Sequence, residues 1–582
     1  MASKKITYDT KKGSRNTPGR ACRTNINKRK VLNRYQMEQE TESVSTSAKK
    51  IKTSIEEYDT EISPAFEYRF IDFLTVFTAL SQILVCKQCG TRVVFNDKSK
   101  RGLGYKIVVK CDKCEPTVIN AVPVIEKNAY DINRHIIFAM RLLGIGLHGI
   151  TKFCAFMDLP HPIFHSFYDT VIKNIFTATT VVREKSLKKA AAGEKQISEK
   201  NGHNCLTVSG DGLWRKRGFS SLFGIATLIG WFTGKVVDVI VKSKYCKMCE
   251  FWEKKTDSAE YEEWAKNHHN QCQANHEGSS GKMEVDAIVE MFCRSEELHG
   301  VKYSNYVGDG DSKTFKGILD CEPYDNFTVC KKECVGHVQK RMGTRLRNLK
   351  KNNKGLGGKG KLTGKLIDEL TIYYGLAIRR NVDSVEKMKK EIWATLYHKI
   401  STDEKPQHDF CPAGENSWCS YQKAKATNKL SEYKHKTPMK SVVFDAVKPI
   451  YEELSKDELL LRCLGGFTQN SNESFNATVW ALAPKSYASG KKIIDIATNI
   501  AVCNFNDGFR SIMEIMEVLN LCVGPNCYNF CEEADARRIK AAEHSLTDAA
   551  KEARKSLLST KKKADEADTE VEGQLYGAGI AD

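Results

Sequence analysis

Short apolar runs with a period-two texture crowd the middle of the chain. Leu206–Ser209 predicts a strand that runs into Asp211, and Leu222–Gly230 and Lys235–Lys242 predict two more, with Thr233-Gly234 as the turn between them. Met283–His299 carries apolar residues at helical spacing, Tyr303–Val307 is a strand ending at Asp309, and Ser312–Leu319 is a helix. Phe327–Cys330 adds a strand and His337–Lys350 a basic helix, so the order is β-β-β-α-β-α-β-α. Earlier in the chain, a short helix enters two β-like stretches, Arg92–Phe95 and Lys106–Lys110, joined by Lys98–Gly104. Ile132, Ile136, Ile137, Met140, Leu143 and Leu147 then recur near the helical period, interrupted by Gly144, Gly146 and Gly149. Two helices about a glycine turn fit a helix-turn-helix DNA reader or a bundle packed on the core. Residues 186–202 are polar, low in aromatics, and read as a linker.

Three antiparallel strands followed by alternating helices and strands is the ribonuclease H arrangement. The expected class is α/β, with a ribonuclease H-like core split by a mainly helical insertion, behind an N-terminal zinc ribbon and a helical domain. The boundaries fall at 1–60 (disordered basic tail), 64–125 (helix and ribbon), 129–185 (helical), 203–350 (core, with a Cys/His insert at 244–281), 351–465 (insertion), 466–530 (last core helix) and 531–582 (charged helix and disordered tail).

Composition narrows the function. The 582 residues are 28% charged and 41% hydrophobic, with a net charge of +18, which favours a polyanionic partner. No apolar run approaches the ~18 residues of a membrane span, and no signal-like apolar segment follows Met1. Residues 1–30 hold ten basic residues against one acidic. Lys28-Arg29-Lys30 and Lys49-Lys50-Ile51-Lys52 look like nuclear-import clusters, so the expected compartment is the nucleus.

The 21 cysteines, in a chain without an export signal, point to metal rather than disulfides. Cys86-x-x-Cys89 and Cys111-x-x-Cys114 sit at the ends of the predicted hairpin and would place four thiolates around one Zn²⁺. A second zinc set is Cys246, Cys249, His268 and Cys272, with His269 competing for the histidine position. A third, with weaker spacing, is His398, His408, Cys411 and Cys419.

Acidic residues supply another chemistry. In a ribonuclease H fold the first and fourth strands end side by side, and the last helix adds a third carboxylate. Asp211, Asp309 and Glu473 fit those places, with Asp311 an alternative to Asp309 that could instead cap the next helix. Hard carboxylate oxygens suit a Mg²⁺ or Mn²⁺ pair. Arg215, Lys216 and Arg217 follow the first acid, and Lys340, Arg341, Arg345 and Arg347 recur on the helix after His337, where they could hold a DNA backbone.

Longer stretches carry a family resemblance. Gly210–Ser221 (GDGLWRKRGFSS), Ser243–Glu253, Glu277–Glu284, Tyr306–Phe315, Glu333–Arg347, Phe410–Cys419 and Thr468–Trp480 resemble, in order, the blocks of Mutator-like DNA transposases, from about residue 65 to Tyr576–Gly579. The resemblance implies a DDE transposase with metal-binding carboxylates at Asp211, Asp309 and Glu473, and a C-x-x-H signature at Cys334 and His337. It also implies double-stranded DNA, as transposon ends and target, and a homo-oligomer on that DNA. Leu213 departs from the threonine or serine common in the wider superfamily. A domesticated, non-catalytic DNA-binding descendant is the alternative reading, and a zinc-dependent nuclease without strand transfer is a third.

Overall fold

In the computed structural model, which describes residues 45–55, 60–125, 129–160, 164–215, 221–256, 258–309, 312–353, 355–358, 360–554 and 556, the first element is a helix, Thr46–Ile55 (α1). It lies within the span expected to be disordered, and burial of Ala48 and Ile51 explains the difference. The second basic cluster is thereby folded: Lys50 is buried with its Nζ 3.2 Å from the centre of the Phe505 ring, and Lys52 pairs with Glu543 at 2.6 Å. The Lys28-Arg29-Lys30 cluster lies outside the described residues.

Helix Phe73–Ile83 (α2), capped by the Asp72 carboxylate accepting from the Thr75 N–H, leads into a three-stranded antiparallel sheet. Its strands are Val94–Arg101 (β1), Gly104–Lys110 (β2) and Thr117–Asn120 (β3), the last not anticipated. Helices Asp131–Leu142 (α3) and Leu147–Phe156 (α4) turn about Gly144, whose φ of +74° suits glycine. Helix His165–Lys200 (α5) is 36 residues long and absorbs most of the expected linker. Leu187, Ala190, Ala191, Glu194 and Ser198 make a buried stripe at helical spacing, which a composition-based reading misses. The Glu194 carboxylate, fully buried, accepts from the Phe232 and Thr233 N–H groups at 2.8 Å each and so fixes the turn between two sheet strands.

The central sheet contains Leu206–Trp214 (β4), Phe223–Gly230 (β5), Val236–Ser243 (β6), Tyr303–Gly308 (β7) and Cys330–Glu333 (β8), in the order β8-β7-β4-β5-β6. β4, β5 and β6 are antiparallel, β7 runs parallel to β4, and β8 parallel to β7. Helices Lys247–Trp252 (α6) and Ala259–His268 (α7) follow β6, then Ser280–Cys293 (α8). Ser312–Cys321 (α9) joins β7 to β8, and Val335–Asn352 (α10) leaves β8.

Helices Gly364–Arg380 (α11), Val385–Tyr397 (α12), Ser420–Ala426 (α13), Ser441–Leu454 (α14) and Asp457–Cys463 (α15) come next. All but α13 share with α10 an apolar core of their own, built on Leu370, Tyr374, Ile392, Val447 and Tyr451. The chain then returns to the sheet through Asn470–Leu482 (α16) and Lys491–Asp507 (α17), and continues into Arg510–Val518 (α18) and Pro525–His544 (α19).

Both faces of the sheet are covered. Leu213, Phe223, Ile225 and Ile229 pack with residues of α5, α16 and α17, whereas Val208, Ala226, Leu228 and Tyr306 pack with Ala287, Ile288, Met291 and Phe292 of α8. All eight residues of β5 are therefore buried, as expected of a two-sided central strand. Odd-numbered positions of β4 face α16, which settles where Asp211 points.

Candidate active site and metal centres

β4 does not stop before Asp211 as the sequence suggests; it continues to Trp214, with Asp211 opposite Thr227 of β5. A Cβ on Gly210 would meet the Tyr306 ring at 2.4 Å and one on Gly212 the Glu284 carboxylate at 2.3 Å. Both are needed for close packing on the α8 face. Ser209 pairs in parallel register with Val307, and Asp309, exposed, follows the last residue of β7, near enough for its charge to act on Asp211. Burial raises the Asp211 carboxyl to about 6, against the Asn476 hydrogen bond that lowers it, and Asp309 adds to the rise.

Helix α16 supplies the rest of the pocket through one stripe. Gln469, just before it, donates from Nε2 to the Gly210 carbonyl at 2.7 Å. Asn472 bonds Ser209, accepting its hydroxyl at 2.7 Å, and Asn476 donates to Asp211 Oδ2 at 2.8 Å. Asn476 Oδ1 is buried and has no hydrogen-bond partner. Glu473 leaves this stripe: its side chain is 62% exposed and its Oε1 lies 3.9 Å from Lys340 Nζ. Asn476 is thus the α16 residue that reaches Asp211, a role the sequence reading did not assign. Its signal was the two-turn spacing Gln469, Asn472, Asn476.

His337, in the first turn of α10, places Nδ1 3.0 Å from Gln469 Oε1. A hydrogen bond to Cys334 raises the imidazole pKa against burial, and Asp309 adds to the rise. Burial opposes ionisation of the Cys334 thiol, but His337 outweighs it and lowers its pKa. The C-x-x-H pair therefore borders the acidic pocket.

The basic residues behave differently from expectation. Arg341 pairs with buried Glu333 at 2.6 Å and donates to the Asp309 carbonyl at 3.3 Å. Arg345 pairs with Glu453 at 2.5 Å and Arg347 with Asp368 at 3.1 Å, both carboxylates belonging to the insertion. Arg215 donates to the Ser489 carbonyl at 3.1 Å. These arginines tie segments of the chain together, and a DNA phosphate would have to compete for them. Lys216, Arg217 and Asp311 lie outside the described residues.

Three Cys/His sets converge, each with its ligand atoms within 4.8 Å of one another: Cys86, Cys89, Cys111 and Cys114; Cys246, Cys249, His268 and Cys272; His398, His408, Cys411 and Cys419. The three acids are not among these sets. His268, not His269, joins the second set. A zinc tetrahedron with Zn–S of about 2.3 Å and Zn–N of about 2.0 Å has edges of about 3.3–3.8 Å. Observed edges are 3.9 Å for Cys86–Cys114, 3.6 Å for Cys89–Cys111, 3.3 Å for Cys246–His268 and 3.2 Å for His398–His408. In each set one thiol is drawn toward the thiolate while a neighbour, Cys114, Cys249 or Cys411, is pushed the other way by the sulfurs beside it and by burial. Thr91 lowers Cys89 to about 6. Burial opposes ionisation of Cys246, but the backbone N–H groups of Cys249, Gln273 and Met248 bring it to about 6. The Cys411 thiol pulls Cys419 down to about 4. All three sets fit zinc. In the third, His408 turns its other ring nitrogen to Ser401 (2.8 Å) and His435 (2.9 Å), the outer contacts a ligating imidazole needs.

The sequence matches the Mutator-like transposase family over residues 67–419, more than half the chain. The chain belongs to that family. No curated protein matches it. Membership implies DNA binding, with DNA cleavage and strand transfer as the general chemistry. In this Mutator-like transposase the matched segment holds Asp211, Asp309, Cys334, His337 and all three Cys/His sets, while Glu473 and Asn476 lie beyond it. Among the described residues no single helix is long and apolar enough to cross a membrane.

Proposed function

We propose that this transposase has a ribonuclease H-like catalytic core and a DDE site of Asp211, Asp309 and Glu473, taking Mg²⁺ or Mn²⁺. It hydrolyses a phosphodiester at element ends and joins the freed 3′-hydroxyl to target DNA, acting in the nucleus as a homo-oligomer on double-stranded DNA. The strand order, three antiparallel strands and then two parallel ones, supports the core. The observation that carries the reading is the Asp211 carboxyl, of raised pKa, within electrostatic reach of a second acid, Asp309, and hydrogen-bonded to Asn476, whose carboxamide oxygen is unpaired. Such a set of hard oxygens fits a divalent cation. The bound ions would supply positive charge to the attacking and leaving oxygens.

The chain's own groups do the positioning. Gln469 and Asn472 lock α16 to β4, so that Asp211 cannot drift from its neighbour. His337, held by Gln469 and drawn toward its protonated form by Cys334, would donate to a backbone phosphate. Glu473 reaches the pocket once incoming DNA draws Lys340 away from it.

The test is cleavage of duplexes bearing the cognate ends with Mg²⁺ or Mn²⁺. Asp211→Asn and Glu473→Gln should cut at the background rate. Mg²⁺ should raise the melting temperature of the wild type and not of Asp211→Asn. Equal cutting by wild type and Asp211→Asn would remove the assignment. End binding without cutting under either metal would favour the domesticated reading.

A further inference from the structure

A cavity of about 690 Å³ beside α3 and the start of α17, and one of about 640 Å³ over the second Cys/His set, are lined by fewer lysines than a third. That third cavity, of about 730 Å³, lies in the insertion between the start of α11 and the third Cys/His set, whose ligand His398 forms part of its wall. Five lysines line it, Lys361, Lys365, Lys399, Lys436 and Lys440, against one carboxylate, Glu369, which is already paired with Lys399 at 2.6 Å. Lys365, Lys436 and Lys440 have no carboxylate partner among the described residues. Ring surface is interleaved with this charge. Tyr373 and Trp418 lie nearly parallel at 6.3 Å, and Tyr433 stands edge-on to His435 at 5.0 Å.

Lysines without acids bind phosphates, but a walled cavity with aromatic sides gains little from a duplex, whose bases are stacked inward. An unpaired strand offers both a backbone for the lysines and free base faces for the rings. The cavity is of ordinary small-ligand size, enough for single nucleotides and not for a double helix.

We propose that this groove of the insertion binds single-stranded DNA, taking unpaired bases against Tyr433, Tyr373 and Trp418 while Lys365, Lys436 and Lys440 hold the backbone. It would thus grip the strand freed or frayed at a cut end. The proposal rests on the transposase reading for its substrate, but its test needs neither metal nor cleavage, so the two can fail separately.

The probe is a fluorescein-labelled oligothymidylate of about 12 residues, measured by anisotropy with the full chain against a hairpin duplex of equal length. Tyr433→Ala should weaken single-strand binding about tenfold, and Tyr433→Phe by no more than about twofold. Lys436→Ala with Lys440→Ala should reduce the slope of log affinity on log salt by about 1.4, and Lys365→Ala by about 0.7. Duplex affinity should move by less than about twofold in Tyr433→Ala. Asp211→Asn should bind the oligomer as the wild type does. Zinc content is measured alongside. If Tyr433→Ala loses zinc, Lys365→Ala, on α11, decides. Single-strand affinity and salt slope unchanged in Tyr433→Ala and Lys365→Ala, or equal losses for duplex and single strand, would overturn the proposal.

Discussion

The ribbon of β1–β3 and the sheet of β4–β8 are both small β structures, held in opposite ways. Along β1 no residue is buried, and β3 exposes Val118 at 53% and Ile119 at 50%. Along β5 every residue is buried, with helices on both faces. The ribbon buries little beyond Val93 and Val108, so a metal on its four sulfurs would do what a core does elsewhere. The sheet has core to spare. It can hold an ionisable side chain, Asp211, half-buried against helix α16, at a cost the ribbon could not bear.

Removing metal should break that comparison most visibly. A strong zinc chelator, or Cys111→Ser, should abolish hydrogen-exchange protection across residues 86–120 and leave that of β4–β6 unchanged. Exchange spreading equally through both regions would show that the ribbon and the sheet unfold as one unit. Core truncation should separate them next. Leu228→Ala, in a fully buried site of β5, should cost about 2–5 kcal/mol in chemical denaturation. Val118→Ala, on the exposed ribbon strand, should change stability by less than about 0.5 kcal/mol. Comparable losses at the two sites would mean that the ribbon surface is covered by another part of the assembly.

The parts that could be read from sequence were those whose signal is local. The C-x-x-C knuckles mark their sets by spacing alone, and the alternation of short strands and helices gave the order of elements. What escaped depended on distant partners. The strand Leu206–Ser209 was drawn too short because the covers of Gly210 and Gly212, Tyr306 and Glu284, come from other elements. The alanine-rich 186–202 stretch looked solvated because only the sheet reveals the stripe through Leu187, Ala190 and Glu194. Arg345 and Arg347 looked free to bind DNA because Glu453 and Asp368 arrive from the insertion. Asn476 was passed over because an acid, Glu473, stood one turn before it and attracted the metal-ligand role.

The last test concerns the sheet's tolerance of charge. The Asp211 carboxyl stands at about 6 in the folded chain against an ordinary 3.8. Between those values the folded state keeps a proton that the unfolded state has lost. Stability without metal therefore falls as pH rises from about 4 to about 6, and the whole penalty, at most about 3 kcal/mol, applies above that window. Asp211→Asn removes the charge and keeps an acceptor for Asn476 Nδ2, and its own amide can donate to the unpaired Asn476 Oδ1. In metal-free buffer at pH 8 the variant should melt higher than the wild type. At pH 3.5, where the wild-type carboxyl is protonated in both states, most of the gain should vanish. A gain of the same size at both pH values would point to packing rather than charge. A loss at pH 8 would mean that a cation from the chain already balances the ionised carboxylate.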